Sequence, residues 1–209
     1  MNLVIFGASG KTGQHLLSKA IEQGYIVTAF ARDPSKIKTQ HPNLRIVQGN
    51  VSDYKVVEDA IKGQDAVLSA LGANSPFKFD QTIVDGVGNI LKAMQTNGVN
   101  RLIYLSFIGT NQPCKDAGFF IHHIAPKLLK TEAEGHRVRE AMIEKSNLQW
   151  TIVHPPALTN AKPKNVYRVG EHISSKGFMV SISRTDVADF MLKELADSSY
   201  LQEKPRIMY

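Results

Sequence analysis

The sequence predicts an α/β fold in which one parallel sheet is doubly wound, with helices on both faces. Three observations carry this expectation. Apolar runs of strand length alternate with longer segments of helical period. The strand runs are apolar almost throughout instead of alternating, as expected where helices cover both sides of a parallel sheet. Gly24, Gly63 and Gly98 each stand just past a helical segment, where a left-handed C-cap residue is wanted.

Leu3 to Phe6 reads as the first strand, followed by a helix over Gln14 to Glu22 and a second strand over Ile26 to Ala31. A short run around Arg45 to Val47 makes a third. The helix Val56 to Lys62, the strand Ala66 to Ala70, the helix Ile83 to Thr96 and the strand Leu102 to Phe107 continue the rhythm, so five parallel strands are implied. Ile108 to Lys130 holds two prolines and two glycines and is expected as a long loop or broken helix. A helix from about Glu132 to Glu144 leads into the strand Thr151 to His154, which Pro155 and Pro156 stop. Val166 to Val169 and Phe178 to Ile182 are candidate short strands. Thr185 to Ala196 is a last helix, capped by Ser183 or Thr185.

A chain of 209 residues, 43% hydrophobic, can bury one substantial core, so residues 1–209 are expected as a single Rossmann-type domain. The stretch 155–182 is expected as a small substrate-side cap. Cys114 is the only cysteine, which rules out an internal disulfide and fits a reducing cytoplasm. The N-terminus has no basic n-region and no cleavage pattern, and no apolar stretch approaches membrane length, so a cytoplasmic protein is expected. The formal charge of +6 is spread along the chain without an arginine-rich tract, which argues against nucleic acid as a partner. A small molecule is the expected partner, bound by a monomer or small homo-oligomer.

Gly7, Gly10 and Gly13 follow an apolar strand directly and open a helix. Positions without side chains let the backbone turn tightly and bring its N–H groups, with the positive end of the helix, against a pyrophosphate. Ser9, Lys11 and Thr12 add hydroxyl and ammonium donors. The run Gly10-Lys11-Thr12 imitates a P-loop, but that motif needs a glycine where the chain has Ile5. The end of the second strand discriminates between dinucleotides. Arg32 stands there and can form a charge-assisted fork with a 2′-phosphate, with Lys36 close by, so NADP(H) is favoured and NAD(H) remains possible. Asp33 argues the other way, and Arg32 could also be a plain solvated charge. Asp53 is placed to border the adenine or to cap the next helix, and Leu71, Gly72 and Ala73 to let the cofactor cross toward its nicotinamide.

The ordered set Val4-Ile5-Phe6-Gly7-Ala8-Ser9-Gly10-Lys11-Thr12-Gly13, Ala31-Arg32-Asp33, Gly63-Gln64-Asp65-Ala66-Val67, Trp150-Thr151-Ile152-Val153-His154-Pro155-Pro156 and Ile182-Ser183-Arg184-Thr185-Asp186-Val187-Ala188 resembles the atypical short-chain dehydrogenase/reductase group. That group includes NmrA-like proteins, NADH-flavin reductases and biliverdin-IXβ reductase. The resemblance spans nearly the whole chain and implies an NAD(P)-binding Rossmann fold. It also implies that Ser106, at the end of the fifth strand, lies beside the nicotinamide; the alternative is a strand-end hydroxyl bonding local backbone. Arg184 and Asp186 are as readily a structural pair as substrate contacts.

The Tyr-x-x-x-Lys pair of ordinary short-chain dehydrogenases is missing from the helix after the fifth strand, where His136 and Glu140 stand one turn apart and could pair, His136 titrating near neutrality. A literal Tyr200-x-x-x-Lys204 match lies beyond the last long helix, just before Pro205, and is read as chance. Ala157 stands where biliverdin-IXβ reductase-like members place a histidine, which weighs against tetrapyrrole reduction and less against flavin. His122 and His123 lack further ligands at metal spacing, so no metal is expected. The leading expectation is an NAD(P)H-dependent reductase of flavin, a quinone or another planar acceptor, with Ser106 and His136 at the reaction centre. The rival is a non-catalytic, NmrA-like NADP(H) sensor.

Overall fold

A computed structural model describes residues 1–73, 78–110, 118–171, 173–175 and 177–209. Six strands form the central sheet: β1 Asn2–Phe6, β2 Ile26–Ala31, β3 Leu44–Gln48, β4 Ala66–Ser69, β5 Arg101–Leu105 and β6 Gln149–Val153. All are parallel, in the order β3-β2-β1-β4-β5-β6. This is the doubly wound Rossmann order, in which the winding direction reverses between β1 and β4.

The near-continuous apolar strands have a direct structural cause. Successive side chains point to opposite faces, and each face has its own core. Leu3, Ile5, Val27 and Ile103 pack on one side with α1 (Lys11–Glu22) and the last helix, Arg184–Asp197. Val4, Phe6, Val67 and Tyr104 pack on the other with α2 (Tyr54–Ile61) and α3 (Gln81–Asn97). Gly24, Gly63 and Gly98 all have positive φ (83, 75 and 69°) past the ends of helices.

Beyond β5 the chain is less regular. A 3₁₀ turn spans Ile108–Thr110, and a π-turn over Phe120–Ile124 runs into the short helix α4 (Ala125–Leu128), so this stretch is a broken helix where it is described. Cys114 lies outside the described residues. The helix α5 (Lys130–Glu144) then crosses back to β6. The cap region holds three short strands, β7 Ala157–Thr159, β8 Arg168–Gly170 and β9 Ser181–Ser183, before α6 (Arg184–Asp197). The expected strands at 166–169 and 178–182 thus sit one to three residues further on. β7 pairs with β9, and β8 pairs with β10 (Arg206–Met208). Pairing between distant segments, with no periodicity of its own, is why β7 and β10 were not visible in the sequence.

Ser183 caps α6 by accepting from the Asp186 amide. The C-terminal segment runs beside β6, with bridges Thr151 to Glu203 and His154 to Arg206, and this carries Lys204 over α5. Among the described residues no helix is long and apolar enough to cross a membrane.

Candidate active site

A cleft of about 880 Å³ opens at the carboxyl ends of the strands, around the β1/β4 switch point. The first turn of α1 enters it. Gly10, the N-cap of α1, makes no side-chain cap hydrogen bond, and the first turn carries no acidic residue. The side chains of Asp53 and Ser183 cap α2 and α6, while α3 and α5, like α1, have no side-chain cap; α1 differs in the glycine loop that leads into it. The open end of α1 therefore presents amide N–H groups and the positive pole of the helix to an anion.

The glycines make that approach possible. Gly7 has φ 75°, and a Cβ there would lie 2.6 Å from the Ala70 carbonyl oxygen; at Gly13 it would lie 2.0 Å from the Gly7 carbonyl oxygen. Chain and helix close on each other too tightly for any side chain, as a pyrophosphate cradle requires. These residues fit a dinucleotide.

Gly7, Ser9, Gly10, Lys11 and Thr12 line the cleft, while Gly13 packs behind the loop. Arg32 and Lys36 line it on the β2 side of β1; Leu71, Gly72 and Ala73 follow β4; Ser106 follows β5, with His136 beside it. Asp53 is not among the lining residues. Its carboxylate accepts the amides of Lys55 (3.1 Å) and Val56 (3.4 Å) as a helix cap, and Asn50 and Val51 border the cleft instead. Asp33 also spends its carboxylate locally. It accepts from the amide and hydroxyl of Ser35, at 3.1 and 2.6 Å, and lies 3.7 Å from the Lys36 ammonium.

At the β5 end, buried polar groups converge. Ser106 Oγ lies 3.0 Å from His136 Nδ1 and donates its one proton to Glu140 Oε1 in a short hydrogen bond. His136 and Glu140 thus do not pair directly; the serine hydroxyl stands between them. The carboxylate that His136 does meet is Glu132, 3.1 Å from its Nε2 and one turn earlier on α5. Nor does His136 titrate at its ordinary value: burial holds its pKa below 6.5, against the opposing pull of the Glu132 hydrogen bond.

The same oxygen of Glu140 also meets His154 Nε2 (3.1 Å), and its other oxygen meets Lys204 Nζ (3.4 Å). Burial alone would raise its pKa, but the hydrogen bond from His154, then that from Ser106 and the Lys204 charge, bring it down to about 2. Lys204 thus enters the site through Glu140 and not through Tyr200, whose ring packs on Phe190.

Among the cleft-lining residues not singled out as site groups in the sequence are Glu132 and Leu158, and Arg184, weighed there as a structural partner or a substrate contact, lines it too. The i, i+4 spacing of Glu132 and His136 on one helix was a legible signal for the first. Arg184 is not paired with Asp186. It donates to Asn160 Oδ1 at 2.8 Å, while Asp186 accepts from the Lys164 and Asn165 amides and the Ser183 and Tyr209 hydroxyls. His122 and His123 stand on the π-turn with ring centroids 4.3 Å apart.

Comparison with known proteins places the chain in a family. The model of the NAD(P)H-binding family matches residues 7–198. An uncharacterised chloroplast protein of Arabidopsis thaliana is 32% identical over 215 residues, covering 96% of this chain and 72% of its own. An oxidoreductase from Lactococcus lactis superposes with a TM-score of 0.84 at 25% identity, over 99% of this chain and 90% of its own. A short-chain dehydrogenase/reductase from Veillonella parvula, solved with NADP, has a TM-score of 0.82 at 18% identity over 99% of this chain and 93% of its own, a likeness of fold alone.

Proposed function

The chain belongs to the NAD(P)H-binding family, and on that footing we propose that it is an NADP(H)-dependent reductase that passes hydride to a small planar acceptor, a flavin or a quinone. The observation that carries this reading is continuity: the uncapped α1 N-terminus and the Ser106–His136 pair line one cleft. Lys11 and the α1 amides hold the pyrophosphate; Arg32 and Lys36 take the 2′-phosphate, since Asp33 is turned into its own cap. The cofactor supplies the hydride, and the protein's part is to orient the acceptor and exclude competing reactions. Ser106 and His136 border the place of the nicotinamide, and Leu158 of the cap gives the acceptor an apolar surface. The protein acts in the cytoplasm, as a monomer or small homo-oligomer, on a small molecule.

A second reading is favoured by one specific contact. The Ser106 hydroxyl gives its only proton to Glu140 and so offers none to a substrate carbonyl in this arrangement. A non-catalytic NADP(H) sensor would tolerate that; a reductase must release it during turnover. The test follows NADPH absorbance with FMN, FAD and menadione, alongside calorimetric titration with NADP(H). Oxidation by at least one acceptor above the no-enzyme rate is expected. Tight binding without oxidation by any of them would sink the reductase and leave the sensor.

A further inference from the structure

The groups around Ser106 form an unbroken row: Glu132 Oε1 to His136 Nε2 (3.1 Å), His136 Nδ1 to Ser106 Oγ (3.0 Å), Ser106 Oγ to Glu140 Oε1, and Glu140 Oε1 to His154 Nε2 (3.1 Å). Each of these four contacts needs a proton between its two atoms. With both glutamates ionised, Ser106 brings one, His154 Nε2 one and a neutral His136 ring one, three protons for four contacts. The row closes only when His136 carries both ring protons. With His136 neutral and its proton on Glu132, the Ser106 hydroxyl is contested by two acceptors, His136 Nδ1 and Glu140.

One end of the row is open. Glu132 lines the cleft, its side chain 16% exposed, whereas those of His136 and Glu140 are 8% and 3% exposed. We propose that Glu132, His136 and Ser106 are a proton relay, in which Glu132 holds the doubly protonated His136 ring and the ring delivers its Nδ1 proton through the Ser106 hydroxyl to the acceptor as it is reduced. The inference rests on the reductase reading. The acceptor atom that gains an electron pair takes the Ser106 Oγ proton. Oγ takes the Nδ1 proton of His136, and the ring is left neutral with its Nε2 proton on Glu132. When the reduced acceptor leaves, cleft water protonates Oγ and the hydroxyl returns a proton to Nδ1, since Ser106 lines the cleft. Glu140 is a positioning residue: held by His154 and Lys204, it keeps the serine hydroxyl in the row between turnovers. The groups facing His136 are Glu132, Arg139 and Glu140 from α5, the Tyr104 and Phe107 rings from the end of β5, with centroids at 6.5 and 5.3 Å, and, beyond Glu140, His154 and Lys204.

Two measurements test this. The first needs no turnover: ring nitrogen shifts of His136 in ¹⁵N-labelled protein, assigned by loss in His136→Gln, followed as pH is lowered. The ring is expected to gain its second proton below the ordinary 6.5, and Glu132→Gln or Ser106→Ala should move that midpoint lower still. A midpoint indifferent to both substitutions overturns the relay. The second follows NADPH oxidation with menadione. kcat should fall as pH rises through the His136 midpoint and be slower in D₂O. Ser106→Ala and His136→Gln should abolish both effects, and Ser106→Thr, which keeps the hydroxyl, should retain them. Turnover without pH or solvent-isotope dependence overturns the relay and leaves the reductase standing; no turnover with any acceptor overturns the reductase and its delivery step together.

Discussion

Asp33 binds Ser35, accepting its amide at 3.1 Å and its hydroxyl at 2.6 Å, and this tight local turn withdraws the one acidic side chain beside Arg32 from the cleft. A carboxylate aimed at the ribose would repel a 2′-phosphate; one bound into its own turn does so far less. Arg32→Ala should therefore weaken NADP(H) by the worth of a charge-assisted hydrogen bond, about 1.5–3 kcal/mol or roughly 10- to 100-fold in Kd, and leave NAD(H) nearly unchanged. Calorimetric titration with both cofactors measures this, and equal losses would show that Arg32 does not meet the 2′-phosphate.

The glycine cradle predicts a stability defect coupled to loss of binding. At Gly7 a side chain meets both a left-handed backbone (φ 75°) and the Ala70 carbonyl at 2.6 Å. The backbone conformation alone costs of order 1–3 kcal/mol. Gly7→Ala should lower Tm by about 2–4 °C per kcal/mol in a chain of this size and abolish cofactor-induced stabilisation. A Gly7→Ala protein with wild-type Tm and undiminished NADPH affinity would contradict the cradle.

Glu140 predicts an acid limb of stability. Its carboxyl ionises at about 2 in the folded protein and 4.5 in the unfolded chain, so the unfolded state binds the extra proton first as pH falls. The stabilisation is fully present above 4.5, is lost as pH drops toward 2, and is on the order of 3 kcal/mol for a group this buried. Denaturant unfolding of wild type should weaken through this window. Glu140→Gln should be less stable at neutral pH and show a flatter acid profile; parallel profiles would place the acid sensitivity elsewhere.

Asp186 predicts how the cap is held. Its carboxylate gathers the Lys164 amide (3.0 Å), the Asn165 amide (3.0 Å), the Ser183 hydroxyl (2.8 Å) and the Tyr209 hydroxyl (2.5 Å). Asp186→Ala should cost roughly 1–3 kcal/mol, because four donors lose their acceptor at once, of which the Ser183 hydroxyl is buried and the others are partly solvated. Hydrogen exchange at the Lys164 and Asn165 amides should accelerate selectively. Exchange unchanged at those two positions would mean that other contacts anchor the cap.

Much of the site was legible because its signals are local. The glycine loop needs only its strand, its spacing and the helix that follows, and Arg32 and Lys36 lie one and five residues past the end of β2. Ser106 was legible as a strand-end hydroxyl. His136 was placed beside it, but the bond from Ser106 to Glu140, 34 residues away, was not legible, nor were His154 and Lys204, which reach the carboxylate from a strand end and from the segment beside it. No spacing announces such a meeting. Asp33 and Asp53 were ambiguous for the opposite reason, since a short carboxylate before a turn or helix can cap it or face a ligand, and only its actual acceptor geometry separates the two.

The order and period of apolar residues were enough to imply five parallel strands, a further strand at Thr151 to His154 and most of the helices between them, since burial on two faces demands a continuous apolar strand and a one-sided helix. The same local chemistry specified an anion-binding first turn. Folding alone brought α5, β6 and the C-terminal segment around Ser106, and so turned a histidine of nominal pKa 6.5 into a buried ring with a lowered one and a glutamate of 4.5 into an anion down to about 2. Titration depends on desolvation and on charges a few ångströms away through space, and neither is written in the spacing of residues along the chain.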